Sequence, residues 1–119
     1  MNKAYKSVFV ISFLVSWLTL ECFAMVVSNK QLLFFYSDRC GPCRIAHKEI
    51  NNPHSLVSMA MKKYKLKKIN FDIDKATVSK YNIEQIPTFI ILDNDKEMAR
   101  LVGIKNGISD MVAFLLDNE

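Results

Sequence analysis

Cys40-Gly41-Pro42-Cys43 comes shortly after the apolar run Leu32-Leu33-Phe34-Phe35-Tyr36, and this junction constrains the chain more than any other feature. An aromatic-rich apolar run of that length reads as a central strand. A proline just inside a helix start is tolerated, because its missing N–H would have had no intrahelical partner. The segment therefore predicts a strand over 31–36, then a helix that begins near Gly41 or Pro42 and runs through Ile50. Two cysteines separated by two residues can close a disulfide within one helical turn. The outer sulfur remains exposed, and the helix N-terminus stabilises its thiolate. That is an arrangement for thiol–disulfide exchange.

The rest of the chain supplies a sheet and its covering helices. Asn51-Asn52-Pro53 interrupts the first helix, and a second helical piece is predicted over 54–64. There Leu56, Met59, Ala60 and Lys63 have helical spacing, with the apolar members expected to pack on the sheet. Over 66–72 a strand is expected, with Ile69, Phe71 and Ile73 alternating against Asn70, Asp72 and Asp74. A short helix follows over 76–81, then a strand over 88–92. Asp93-Asn94-Asp95-Lys96 has turn chemistry before a partner strand over 97–102. Ile108, Met111, Val112, Leu115 and Leu116 share one face of a closing helix. No repeat or low-complexity linker interrupts the series.

The length of 119 residues suits one domain, and half of the composition is apolar. Part of that excess lies in residues 1–24, which read as a signal peptide or membrane anchor. Lys3 and Lys6 make a positive start, Val8 to Leu20 form an apolar core, and Cys22-Phe23-Ala24 offers a small–x–small cleavage pattern beside Glu21. The core is short for a membrane span. A third reading makes this segment the first strand and helix of the domain, against which its near-lack of charge counts. A lipid-attachment site at Cys22 fits poorly with Glu21 directly before it. Cleavage after Ala24 would leave a domain over 25–119 whose cysteines are Cys40 and Cys43 alone. Such a pair favours reactive chemistry over a stapled scaffold.

The formal charge of +4 is modest. Its densest run, Lys62 to Lys68, reads as a solvated helix end and loop, with a contact to an anionic surface as the alternative. No basic–aromatic repeat argues for nucleic acid. Cys40, Cys43 and His47 could suggest zinc, but no fourth ligand stands at conventional spacing and His54 follows a break, so no metal is expected. Asp72 and Asp74, near a strand end, read as solvated loop acids, with a carboxylate catalytic pair as the alternative.

Cys40-Gly41-Pro42-Cys43, Ile86-Pro87-Thr88-Phe89 about 45 residues on, and Val102-Gly103 before the last helix together resemble the thioredoxin family over roughly residues 31–118. The resemblance implies a thioredoxin-like α/β fold, a central mixed four-stranded sheet flanked by helices. It implies a cis peptide at Ile86-Pro87, facing the dithiol and leaving backbone groups free to pair with a substrate segment. Residues 49–57 are similar to exported or membrane-tethered domains of bacterial disulfide-interchange systems. Three positions depart from the family pattern. Phe34 stands where members often place a buried acid that assists the inner thiol, and Tyr36 and Arg39 stand where tryptophan is common. These departures bear on rate, potential and partner choice.

On this reading Cys40 is the nucleophile and Cys43 resolves the mixed disulfide. Gly41 permits close approach in the short connection, and Pro42 stiffens the helix start. Arg39 either steadies the thiolate, guides an acidic partner, or is simply exposed. Ile86 and Thr88 are candidates for shaping partner contacts, with Thr88 equally a routine strand residue, and Gly103 is a candidate for close approach near the same surface, with an ordinary turn glycine as the alternative. His47, four residues after Cys43, is read as a surface or packed helix histidine, with modulation of proton movement as the alternative. The expected protein is a monomeric, exported protein-disulfide oxidoreductase without a dissociable cofactor, placed in the periplasm or otherwise outside the cytoplasm. The Gly-Pro pair resembles the family's reducing branch, so reduction is favoured. Its partners would be a disulfide-containing client and a membrane or other thiol donor. A disulfide donor or isomerase, and a chaperone or assembly factor with an incidental dithiol, are the competing functions.

Overall fold

The computed structural model describes residues 29–119. The leader over 1–24, its cleavage after Ala24, the anchor and the Cys22 lipid site all lie outside the described residues. In chain order come β1 (Lys30–Tyr36), α1 (Gly41–Asn51), α2 (Leu56–Ala60) continued by a 3₁₀ turn (Met61–Lys63), β2 (Lys65–Asn70), α3 (Lys75–Lys80), β3 (Thr88–Asp93), β4 (Lys96–Val102) and α4 (Ile108–Asp117).

The strands form one mixed sheet in the order β2-β1-β3-β4. β1 runs parallel to β2 and antiparallel to β3, and β3 runs antiparallel to β4. The apolar run of β1 explains its central place. Leu32 and Phe34 face one side, Leu33 and Phe35 the other, and all four are buried. A strand apolar on both faces is stable only where both faces are covered. The first face carries Ala46 and Ile50 of α1, Val57 and Ala60 of α2, and Met111 and Leu115 of α4. Val78 of α3 and the neighbouring Tyr81 pack on the second, around Ile69, Ile83, Ile90 and Leu92. The β3–β4 connection has Asn94 at φ 49° and Asp95 at φ 66°, the left-handed pair that matches the twist of a two-residue hairpin.

Four expectations need correction. The second helical piece is shorter than 54–64: Ser55 caps α2 by accepting the Ser58 amide, and the last residues tighten into the 3₁₀ turn. Its inward face is Val57, Ala60 and Met61, while Leu56 and Met59 are exposed. In Leu-Val-Ser-Met-Ala-Met two adjacent stripes fit helical spacing, and the cap position decides which one turns inward. Secondly, β2 stops at Asn70, because β1 has already turned away at Ser37 and offers only the Tyr36 carbonyl to the Phe71 amide, at 2.8 Å. Ile73 therefore leaves the alternating pattern and is 77 % exposed. Thirdly, the run Lys62 to Lys68 is not all helix end and loop: Lys65 joins β2, where Lys67 and Lys68 also lie, as the strand expected over 66–72 requires. β2 is an outer strand among the described residues, and lysines on such a strand oppose edge-to-edge pairing. Lastly, Leu116 is exposed, so the buried line of α4 is Met111 and Leu115, with Ile108, Val112 and Phe114 partly covered.

Candidate active site

Every element of the site sits at one end of the sheet. β1 ends at Tyr36, and a tight turn closes with the Cys40 amide donating to the Ser37 carbonyl at 3.2 Å. The Ser37 hydroxyl braces this turn from two directions. It donates to the Asp72 carboxylate at 2.5 Å and accepts the Arg39 amide at 3.3 Å. Neither Ser37 nor Asp72 stood out as a site residue in the sequence. A serine two residues before a backbone donor in a turn is the local signal for half of that brace.

Cys40 is the N-cap residue of α1, in extended conformation, with Pro42 in the first turn. Its sulfur accepts the Cys43 amide at 3.1 Å, so an otherwise orphaned helix donor points at the outer sulfur. No acidic residue lies in the first turn to oppose negative charge there. The two cysteines form a disulfide with their Cα atoms 5.1 Å apart. Their surroundings are unequal. Cys43 has 0 % exposure and continues inward as the line Cys43, Ala46, Ile50, whereas Cys40 is partly exposed beside exposed Gly41 and Pro42. The close approach expected at Gly41 is not found among the described residues, where a Cβ at that position would meet no heavy atom within 4 Å.

The second part of the site is the loop before β3. The Ile86–Pro87 peptide is cis, and Pro87 is fully buried. Thr88 pairs with Phe35 on one side and Val102 on the other, which brings this loop to the end of the sheet where β1 delivers the dithiol. The Thr88 side chain is 1 % exposed and its hydroxyl donates to the Gln85 carbonyl at 2.6 Å. It shapes the loop from beneath; partner contact by that side chain, expected from the sequence, is corrected. Ile86 is half-buried and packs against both core clusters. Gly103 has φ +75° and its amide donates to the Pro87 carbonyl at 2.8 Å. A Cβ at Gly103 would meet nothing within 4 Å, so backbone conformation, not close approach, selects glycine there. Gly107 was not singled out in the sequence. At φ 74° and ψ −150° it starts α4 in a region that is essentially glycine's own.

Arg39 is exposed, and its guanidinium makes no hydrogen bond or ion pair with a described residue. Phe34 is fully buried and stacks on Phe89, with ring centroids 4.7 Å apart and planes 9° from parallel. His47 packs its ring against Phe34 and Tyr36. Burial lowers its affinity for a proton, the Lys68 ammonium adds to that, and the Asp38 carboxylate partly opposes it. The imidazole thus titrates below the usual histidine range. Asp74 lies apart as the cap of α3; hydrogen bonds from the Thr77 hydroxyl and amide hold its carboxyl below the usual carboxylate range.

A helix-capping cysteine paired with a buried one, set beside a cis-proline loop on a mixed four-stranded sheet, defines a thiol–disulfide oxidoreductase that works on proteins. Comparison with known proteins agrees. The thioredoxin family model matches residues 14–116, and the chain belongs to the thioredoxin family. It is 30% identical over 88 residues to a thioredoxin of Chlamydia pneumoniae, covering 70% of this chain and 78% of that one. It is 31% identical over 84 residues to a thioredoxin of Haemophilus influenzae, covering 68% and 76%. Among solved structures, Trxlp from Edwardsiella tarda superposes with a TM-score of 0.60 at 25% identity, covering 82% of this chain and 91% of that one. Thioredoxin f2 of Chlamydomonas reinhardtii, at 22% identity, gives 0.62 over 80% and 83%, a likeness of fold.

Proposed function

We propose that this thioredoxin-type oxidoreductase works mainly as a reductase of protein disulfides, with Cys40 attacking and Cys43 resolving. The observation that carries the reading is the unequal exposure of the two sulfurs, one at the surface on a helix N-terminus and one fully enclosed. In the dithiol form, the Cys40 thiolate attacks one sulfur of a client disulfide and the client's other sulfur leaves. Cys43 then attacks the Cys40 sulfur, the client departs as a dithiol, and two electrons have passed to it. The Cys40–Cys43 disulfide seen here is the end state of that cycle. A thiol donor must then recharge it.

The direction rests on the Gly41-Pro42 pair and on relatives that are named thioredoxins. Equilibration with a glutathione or dithiothreitol buffer tests it. A potential near about −270 mV supports the reductase, whereas one near about −120 to −180 mV makes the protein a disulfide donor or isomerase.

We also propose export, with a membrane thiol donor and an extracytoplasmic client. Support comes from Lys3, Lys6 and the apolar stretch that follows them. The family match begins at residue 14 and so overlaps that stretch, which sharpens the choice. Sequencing the N-terminus of the protein from its native cells decides: Met25 supports export, and an intact Met1 on soluble protein contradicts cleavage.

A further inference from the structure

Resolution of a mixed disulfide requires Cys43 to lose a proton in a place poorly suited to charge. Its side chain has 0 % exposure, and the buried polar residues among those described are Ser37, Ser55 and Thr88, so no carboxylate is enclosed with it. A thiolate formed in apolar surroundings without a partner is costly, and a proton acceptor at hand removes much of that cost.

His47 stands one helical turn beyond Cys43 on α1, a spacing that puts side chains on one face with Cβ atoms about 6 Å apart. Its ring centroid lies 4.9 Å from that of Phe34 and 4.7 Å from that of Tyr36. Phe34 belongs to the packed cluster that encloses Cys43, so both side chains are directed at the same face of β1. His47 is only half-buried, which keeps the imidazole within reach of solvent while its neighbour is sealed.

We propose that His47 takes the Cys43 proton during resolution, directly or through one water, and thereby sets the pH dependence of that step. The claim rests on the assignment of Cys43 as the resolving thiol. The S–H bond of Cys43 breaks and its proton goes to an imidazole nitrogen. The sulfur attacks Cys40, the Cys40–client bond breaks, and the departing client sulfur takes a proton from the imidazolium or from water.

The groups around the ring are consistent with this use. Tyr36 faces it from β1, Lys68 acts on it from β2 and Asp38 from the active-site turn, while Arg44 and Lys48 flank it on its own helix. Desolvation and Lys68 outweigh Asp38, so the imidazole is neutral at pH 7 and carries a lone pair for the proton. Below its titration point it is already protonated and cannot accept. Resolution should therefore slow as pH falls through that point.

The test uses the full chain with Cys22→Ser, so that only the pair reacts, and 5,5′-dithiobis(2-nitrobenzoate) as the probe disulfide. Stopped-flow absorbance separates the first thiol release, attack by Cys40, from the second, resolution by Cys43. In the parent protein the second phase is expected to bend at a pH below the usual histidine range. His47→Gln should remove the bend and slow the second phase about 100-fold or more at pH 7, leaving the first phase within about twofold. A second phase unchanged by the substitution, or both phases slowed together, overturns the inference while two releases still uphold the resolving role. A parent protein that releases a single thiol defeats the resolving role itself, and the inference with it. A measurement on the unsubstituted ring guards against misfolding of the variant. The His47 imidazole resonances should titrate at different pH in the dithiol and disulfide forms, and identical midpoints overturn the inference.

Discussion

At the scale of single residues, the site is made by backbone geometry as much as by reactive atoms. Gly103 shows this well. Its left-handed conformation aims its amide at the Pro87 carbonyl and so ties the end of β4 to the cis-proline loop. A Cβ would find open space there, which leaves conformation as the sole penalty for a larger residue. Gly103→Ala is therefore expected to cost about 1–2 kcal/mol, read as a lowered midpoint in urea with an unchanged slope. A loss near zero would mean that the loop does not depend on this tie. The sequence offered both close approach and an ordinary turn as reasons for Gly103 and could not choose between them, because φ is set by how β4 ends against β3.

At the scale of elements, the strands and the short helix α3 were readable to within a residue or two, whereas the inward face and the end of α2 were not. β1, β3 and the Asp93–Lys96 hairpin follow from continuous apolar runs and turn-forming residues, both local properties. The start of α1 was likewise legible, since Pro42 can occupy few helix positions other than the first turn. The inward face of α2 was hidden because Leu56, Val57, Met59, Ala60 and Met61 are all apolar, and periodicity cannot choose between neighbouring stripes. Ser55 makes the choice through its hydroxyl, which donates to the Glu49 carbonyl at 2.6 Å and accepts the Ser58 amide at 3.0 Å. The two stripes differ sharply in thermodynamic weight. Val57→Ala empties fully buried volume and is expected to cost about 2 kcal/mol, whereas Leu56→Ala, at a 67 % exposed position, should change stability by less than about 0.5 kcal/mol. Chemical denaturation of the two variants checks the assignment, and the reverse order would mean that α2 faces the other way.

At the scale of the whole molecule, sequence-distant pieces converge on one end of the sheet. The dithiol turn, the segment after β2, the cis-proline loop and the end of β4 meet there because β1 is central and parallel to β2. The dithiol and the proline were legible in the sequence, the first by its spacing and the second by resemblance. The Ser37–Asp72 brace and the seat of His47 against Phe34 and Tyr36 were not, since both arise only when separate elements pack together. What the proposed mechanism asks of this assembly is a division of labour between two sulfurs. The most direct measurement of that division is covalent trapping in the native cells, with Cys40→Ser and Cys43→Ser compared in parallel and adducts identified by mass spectrometry. Cys43→Ser should accumulate client proteins bound through Cys40, and Cys40→Ser should accumulate none and turn over nothing. Equal trapping through Cys43 in the Cys40→Ser protein, or no adducts with Cys43→Ser, would contradict the account.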